Sequence, residues 1–206
     1  MENKKVHWES IYKLQDFKKV SWYQENPTKS TNFIQKLNLD KSSPIIDIGG
    51  GASYLANSLI NIGYKNITVN DISSNAIKIS KGHNIQNIKN IKWIAGNITN
   101  VKLPQKIYKI WHDRAVFHFL TRKDEREKYK KQILRSVCHR GYVIISTFSL
   151  EGPKKCSGLS IKQYSEKSLL LELGKNFKLI DHQYNNHATP SGNYQNFLYC
   201  CFQLID

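Results

Sequence analysis

The chain has 206 residues, 40% of them apolar and 23% charged, and a formal net charge of +15. That length suits one domain with a sizeable core, and no apolar run approaches the ~20 residues that a membrane helix needs. The charge raises the question of a nucleic-acid partner, but only five of the 31 basic residues are arginines and the lysines are spread along the chain, so neither a nucleic acid nor a membrane is expected as partner.

The lysines near the N-terminus are followed by no apolar stretch, so no secretory signal is expected and the cytoplasm is the default address. From His7 to Leu37 the large apolar residues Trp8, Ile11, Tyr12, Phe33, Ile34 and Leu37 fall at helical spacing, with a break from Val20 to Pro27. Two helices flanking a loop that carries Trp22, Tyr23 and Gln24 are therefore expected, forming an N-terminal cap over residues 1–40 of a single domain. From Pro44 onward short apolar runs alternate with amphipathic stretches, the pattern of an α/β core over 41–206 with a mostly parallel sheet.

Strands are expected near Ile45 to Ile48, Ile67 to Asn70, Lys92 to Ala95, Lys109 to His112 and Tyr142 to Thr147. Helices are expected near Tyr54 to Ile62, Ser74 to Lys81 and Asp124 to Val137. The end of the chain changes character: Phe177 to Tyr184 and Phe197 to Leu204 read as strands, with the turn signal Thr189-Pro190-Ser191-Gly192 between them, so an antiparallel hairpin is expected. The cysteines, Cys138, Cys156, Cys200 and Cys201, lack metal-ligand spacing and read as reduced thiols, with no metal expected. On a strand, adjacent Cys200 and Cys201 must point to opposite faces.

The first strand ends in Asp47-Ile48-Gly49-Gly50-Gly51, followed by Ser53 and a helix. Glycines there let a ligand approach the backbone where a side chain would clash. The third glycine of the dinucleotide fingerprint is missing, its place falling among Ser53 and Tyr54, which argues against a nicotinamide cofactor. The second strand ends at Asp71, placed to accept from both ribose hydroxyls, with Ile72 beside it. The third ends in Ala95-Gly96-Asn97-Ile98, whose polar side chain and neighbouring amide suit an adenine edge.

Ile45 to Ser53, Ile67 to Ser73 and Trp93 to Thr99 together resemble the three cofactor motifs of class I S-adenosylmethionine-dependent methyltransferases. The resemblance implies a Rossmann-like seven-stranded sheet, mostly parallel with an antiparallel last strand, and S-adenosylmethionine as cofactor. It implies that Asp47 and the Gly49, Gly50, Gly51 turn meet the methionine portion, Asp71 the ribose, and Asn97 with Ile98 the adenine. Two positions depart from the family pattern: Ser53 stands for a final glycine, and Asn97 for an acidic residue, with an amide oxygen that can still accept from the adenine amino group. Trp22 and Gln24 are expected to close over the cofactor, as similar N-terminal helices do in related enzymes.

Strand four runs into His112-Asp113-Arg114-Ala115, at the sheet edge where open α/β folds place their chemistry. Asp113-Arg114-Ala115 resembles the corresponding segment of thiopurine and small-thiol S-methyltransferases, in which the arginine faces the substrate. A small thiol or sulfide is therefore the expected acceptor: Arg114 stabilises the thiolate, His112 or His118 serves as base, and Asp113 orients. The plainer alternative is an Asp113–Arg114 ion pair closing the strand end, with His118 packed on a helix. Cys156, in the long loop after strand five, reads as a small loop residue more readily than as a thiol beside the substrate. Protein lysine methylation is the main competing function, and a non-catalytic cofactor binder ranks third.

Overall fold

The computed structural model describes residues 2–83 and 89–205. The chain opens with α1 (Glu2–Leu14) and α2 (Thr28–Lys36). It then alternates β1 (Ile45–Ile48), α3 (Leu55–Asn61), β2 (Ile67–Asp71), α4 (Ser74–His83) and β3 (Ile91–Ala95). β4 (Tyr108–Arg114) leads through a 3-10 turn at Phe117–Phe119 to α5 (Lys123–Ser136) and β5 (Val137–Phe148). Two short strands, β6 (Lys155–Cys156) and β7 (Leu159–Ser160), precede α6 (Glu166–Leu173) and the closing strands β8 (Phe177–Ala188) and β9 (Tyr194–Leu204).

The main sheet has seven strands in the order β3-β2-β1-β4-β5-β9-β8. β1 to β5 are parallel, and β9 runs antiparallel to both β5 and β8. The chain reverses its strand order beside β1, so the carboxyl ends of β1 and β4 open a crevice at the switch point where such sheets bind ligands. The turn between β8 and β9 is closed by the Thr189 amide donating to the Asn193 carbonyl at 2.8 Å, with Gly192 at φ +83°. Backbone in that region favours glycine, which has no Cβ to clash.

Side-chain alternation along each strand divides the core into two layers. On one face Ile46, Ile48, Trp111, Val143, Ile145 and Cys200 pack with Tyr129 and Ile133 of α5 and Leu169 and Leu173 of α6. On the other, Ile45, Ile110, Ile144, Tyr199 and Cys201 pack with Phe33 and Ile34 of α2 and Leu55 and Leu59 of α3. Cys200 and Cys201 thus face opposite layers, as adjacent strand residues must.

Two elements go beyond the sequence expectation. α6 is short, but its start is fixed by a capping box in which the Ser165 and Ser168 hydroxyls satisfy each other's backbone amides. The loop after β5 folds back as the β6–β7 ladder and seats Cys156 against the core, 4% exposed.

Candidate functional site

The carboxyl ends of β1, β2, β3 and β4 form the floor of a cleft roofed by α1 and the loop after it. One lobe is lined by Asp71, Ile72, Asn97 and Ile98, with Trp8, Phe119 and Cys156 on its walls. The other is lined by Asp47, Gly50, Ser53, Gln24 and His112. Tyr12, Trp22, Ile48, Gly49 and Arg114 border both lobes.

The glycine turn is shaped by its own carboxylates. Gly49 has φ +68°, and a Cβ there would lie 2.1 Å from Val116 Cγ2. A Cβ on Gly50 would lie 2.3 Å from Asp47 Oδ2, and one on Gly51 2.5 Å from Asp71 Oδ2. Bare backbone is therefore required before any ligand is considered, because two acidic side chains from adjacent strands fold against the turn. The Gly49 and Gly50 amides both donate to the Asn70 carbonyl, and the Asn70 side-chain amide donates to the Ile94 and Gly96 carbonyls at 3.0 Å each. Asn70, a residue that motif reading passes over, thus locks three strand ends together.

Asp71 is 5% exposed and accepts from the Ser73 amide at 2.8 Å. Burial, with added repulsion from Asp47 and Glu9, pushes its pKa up to about 7, against the opposing pull of the Ser73 and Gly51 amides. Glu9 of α1 accepts from Ser73 Oγ and from the Ser74 and Asn75 amides at 2.7–3.1 Å, placing a carboxylate on the first turn of α4. At the other end of the roof, Lys4 Nζ donates to Glu125 and to the Phe119 carbonyl at 2.8 Å. α1 is thus fastened on both sides of the cleft, and its Trp8 and Tyr12, one helical turn apart, face inward.

Asn97 departs from the expected contact. Its Oδ1 accepts from the Thr99 amide and hydroxyl at 3.0 and 2.9 Å, so the oxygen that was to meet an adenine amino group is already used. What Asn97 still offers the cleft is its side-chain NH2, a donor.

The four expected catalytic residues separate. His112, Asp113 and Arg114 are consecutive on β4, so the middle one points away from its neighbours. Asp113 lies in the α5 layer, where it accepts from the Tyr129 hydroxyl and from the Val116 and Phe117 amides. Burial raises its pKa to about 6, with those donors opposing. It forms no ion pair with Arg114 and does not line the cleft; its work is to hold the turn after β4.

His112 reaches the cleft but is committed. Its Nδ1 lies 2.7 Å from Asp47 Oδ1 and its Nε2 2.9 Å from Ser30 Oγ on α2. A carboxylate only accepts, so Nδ1 carries a proton, and Nε2 is engaged by the Ser30 hydroxyl. No free lone pair remains for a substrate proton. His118 is fully buried behind Phe119 and Phe148, outside both lobes. Burial and the charge of Arg114 push its pKa down to about 3, so it stays neutral.

Arg114 does stand at the cleft. Nε donates to Tyr199 Oη and Nη1 to the Trp22 carbonyl, both at 3.0 Å, and the guanidinium lies 4.7 Å over the Phe197 ring. Nη2 is buried without a partner among the described residues. The arginine therefore ties the terminal hairpin to the cap loop. Cys156 lies on the same wall, but burial pushes its thiol up to about 12 despite the nearby Arg114 charge, so it is inert.

Tyr12, Trp22, Trp8 and Phe119 form a chain of edge-to-face ring contacts along the cleft, with the Trp22 indole N–H donating to Tyr12 Oη at 3.2 Å. Carboxylates at one end and electron-rich ring faces along the wall suit a ligand that carries a ribose and a compact cation. The residues present thus fit a sulfonium nucleoside. No group of three or more His, Cys, Asp or Glu among the described residues could hold a metal ion.

Comparison with known proteins agrees. A family model described as a methyltransferase domain matches residues 39–198. Human EEF1A lysine methyltransferase 2 is 24% identical over 190 residues, which cover 85% of this chain and 74% of that protein. The fold is shared with a chain solved in a study of the conversion of a disulfide bond into a thioacetal group during echinomycin biosynthesis (TM-score 0.79, 13% identity, 98% of this chain and 93% of that one). It is also shared with the 1,6-didemethyltoxoflavin-N1-methyltransferase of Burkholderia thailandensis (TM-score 0.77, 14% identity, 100% and 89%). With the glycine turn, the three strand-end motifs and the sheet order in place, the chain belongs to the methyltransferase domain family and is a class I S-adenosylmethionine-dependent methyltransferase.

Proposed function

We propose that the protein methylates the side-chain amine of lysine in a protein substrate. The observation that carries this reading is the part of the cleft where the two lobes meet, which is bordered by the rings of Tyr12 and Trp22 beside Arg114 and where the nearby imidazole of His112 is committed to Asp47 and Ser30. The similarity to a lysine methyltransferase over most of the chain supports the same choice. When bound, S-adenosylmethionine supplies the sulfonium methyl group.

The chain's own residues position and desolvate. An ammonium entering beside Arg114 meets a like charge and loses water, and both effects lower its pKa. The proton leaves to solvent before the amine reaches the rings of Tyr12 and Trp22, so no dedicated base is needed. The rings then exclude water and align the neutral amine, and their faces tolerate the methylated cation that forms.

Small-thiol S-methylation is the second reading, favoured by the unpartnered Nη2 of Arg114, which could pair with a thiolate. The two separate in one experiment. The protein is incubated with methyl-labelled S-adenosylmethionine, with a cell extract in one arm and sulfide or small thiols in the other. Acid hydrolysis that returns labelled methyl-lysine supports the proposal. Volatile labelled methanethiol or thioether with no label in protein overturns it in favour of the second reading.

A further inference from the structure

The lysines that are scattered along the sequence gather in space at the end of the sheet opposite the cleft. In a parallel sheet every loop that precedes a strand returns to the same edge. Lys41 and Lys65 precede β1 and β2, and the Lys65 amide donates to the Lys41 carbonyl at 2.9 Å. The Lys106 amide bonds the Arg135 carbonyl at 2.9 Å where α5 ends. Lys109 Nζ donates to the Arg140 carbonyl at 3.1 Å, and that carbonyl also receives the Gln203 side chain. Gln203 pairs with Lys178 across the β8–β9 ladder, carrying the row to the far edge strand.

All of these cations except the half-buried Lys109 are exposed, and none has a carboxylate within ion-pair distance among the described residues. In the segments 37–44, 62–66, 102–109, 135–142, 174–178 and 203–205 the single carboxylate is Asp40, which accepts from Ser42 and feels the charge of Lys65. Seven strands at ~4.8 Å spacing make this row about 30 Å long. Like charges that outnumber the carboxylates among them repel one another, a cost that a polyanion relieves.

We propose that this basal edge binds the phosphate backbone of a nucleic acid, leaving the methyl-transfer cleft on the opposite edge open. A repeating phosphate charge matches a long row of mostly lysine point charges. An acidic protein would need apolar anchors, and among the described residues of these segments the only exposed large apolar side chains are Ile107 and Ile205. Because no exposed aromatic ring stands among these residues, the contacts are to phosphates and are independent of sequence. The inference goes beyond the acceptor assignment and stands or falls separately from it.

The test is fluorescence anisotropy with a labelled oligouridylate of about twenty nucleotides, titrated at several potassium chloride concentrations. The variants are Lys65→Glu/Lys106→Glu/Lys178→Glu and, as a control of equal charge, Lys78→Glu/Lys123→Glu/Lys167→Glu, exposed residues away from the row. Wild type and control should bind alike, with affinity falling as salt rises. The basal variant should bind at least tenfold more weakly, with a log–log salt slope shallower by about 2. Undiminished binding of S-adenosylhomocysteine by the basal variant shows that it is folded. Equal loss in both variants, no binding by wild type at low salt, or stronger competition by polyglutamate than by unlabelled oligonucleotide would each overturn the proposal.

Discussion

His112 of β4 donates from Nδ1 to Asp47 of the neighbouring β1 across 2.7 Å, within a buried pair that Ser30 of α2 completes. The ring therefore acts on the carboxylate below the glycine turn. His112→Ala is expected to weaken S-adenosylhomocysteine binding about tenfold by calorimetry, the loss of roughly one charge-assisted hydrogen bond. Turnover at saturating cofactor should stay near wild type. A large fall in kcat with unchanged affinity would make His112 a base instead.

Arg114 bridges Tyr199 Oη and the Trp22 carbonyl through two nitrogens of one planar group, a geometry that a lysine cannot copy. Arg114→Lys keeps the charge and should still lower kcat/KM by about 10- to 100-fold, because the cap loop loses its anchor and alignment suffers. The dissociation constant of S-adenosylhomocysteine should rise several-fold in parallel. Full rescue by lysine would mean that charge alone matters.

Asp71 titrates near pH 7 in the folded protein and near the ordinary carboxylate range when unfolded. The protonated form is thus favoured by folding, so its stabilising share is present below about pH 4 and is lost as pH rises through about 7. Cofactor binding runs the other way, since ribose hydroxyls donate to the ionised carboxylate. Affinity for S-adenosylhomocysteine should therefore increase between about pH 6 and about pH 8. Asp71→Asn should be more stable than wild type to denaturant at about pH 8, by a few kcal/mol at most, while binding cofactor poorly. A variant less stable at that pH would contradict the burial cost assigned to Asp71.

Glu9 joins the roof to the fold by covering the first turn of α4. Its pKa is lowered because three hydrogen bonds and the charge of Lys5 outweigh its partial burial. Glu9→Ala should cost about 1 kcal/mol in denaturant unfolding, as the loss of a helix cap does. Amide exchange in α1 should quicken more than in β1 or β4. Uniform quickening across the sheet would indicate a global effect rather than release of the roof.

Much of the fold is legible in the sequence. The apolar runs of β1, β2 and β3, the Gly49 to Gly51 turn and the Thr189 to Gly192 reversal are local signals, and each expected element forms within a residue or two of its place except α1, which begins and ends about five residues early, and β5, β8 and β9, which run on. Asp71 and Asp47 follow directly from their strand ends. α6 was hidden because eight residues carry little periodicity, and β6–β7 because two-residue strands carry none.

What the sequence determines by itself is the order of strands and helices, and hence which residues end a strand beside the cofactor edge. Which face each residue takes, and what it finds there, belongs to the tertiary structure. The alternation that sends Cys200 and Cys201 to opposite layers also removes Asp113 from Arg114, and a hydroxyl on α2 commits His112. Asn97 spends its oxygen on Thr99, and lysines far apart in the chain converge at the base of the sheet because parallel strands return every connecting loop to one edge. Hydrogen-bond partners and neighbouring charges come from other strands and helices, so only the packed fold brings them within reach.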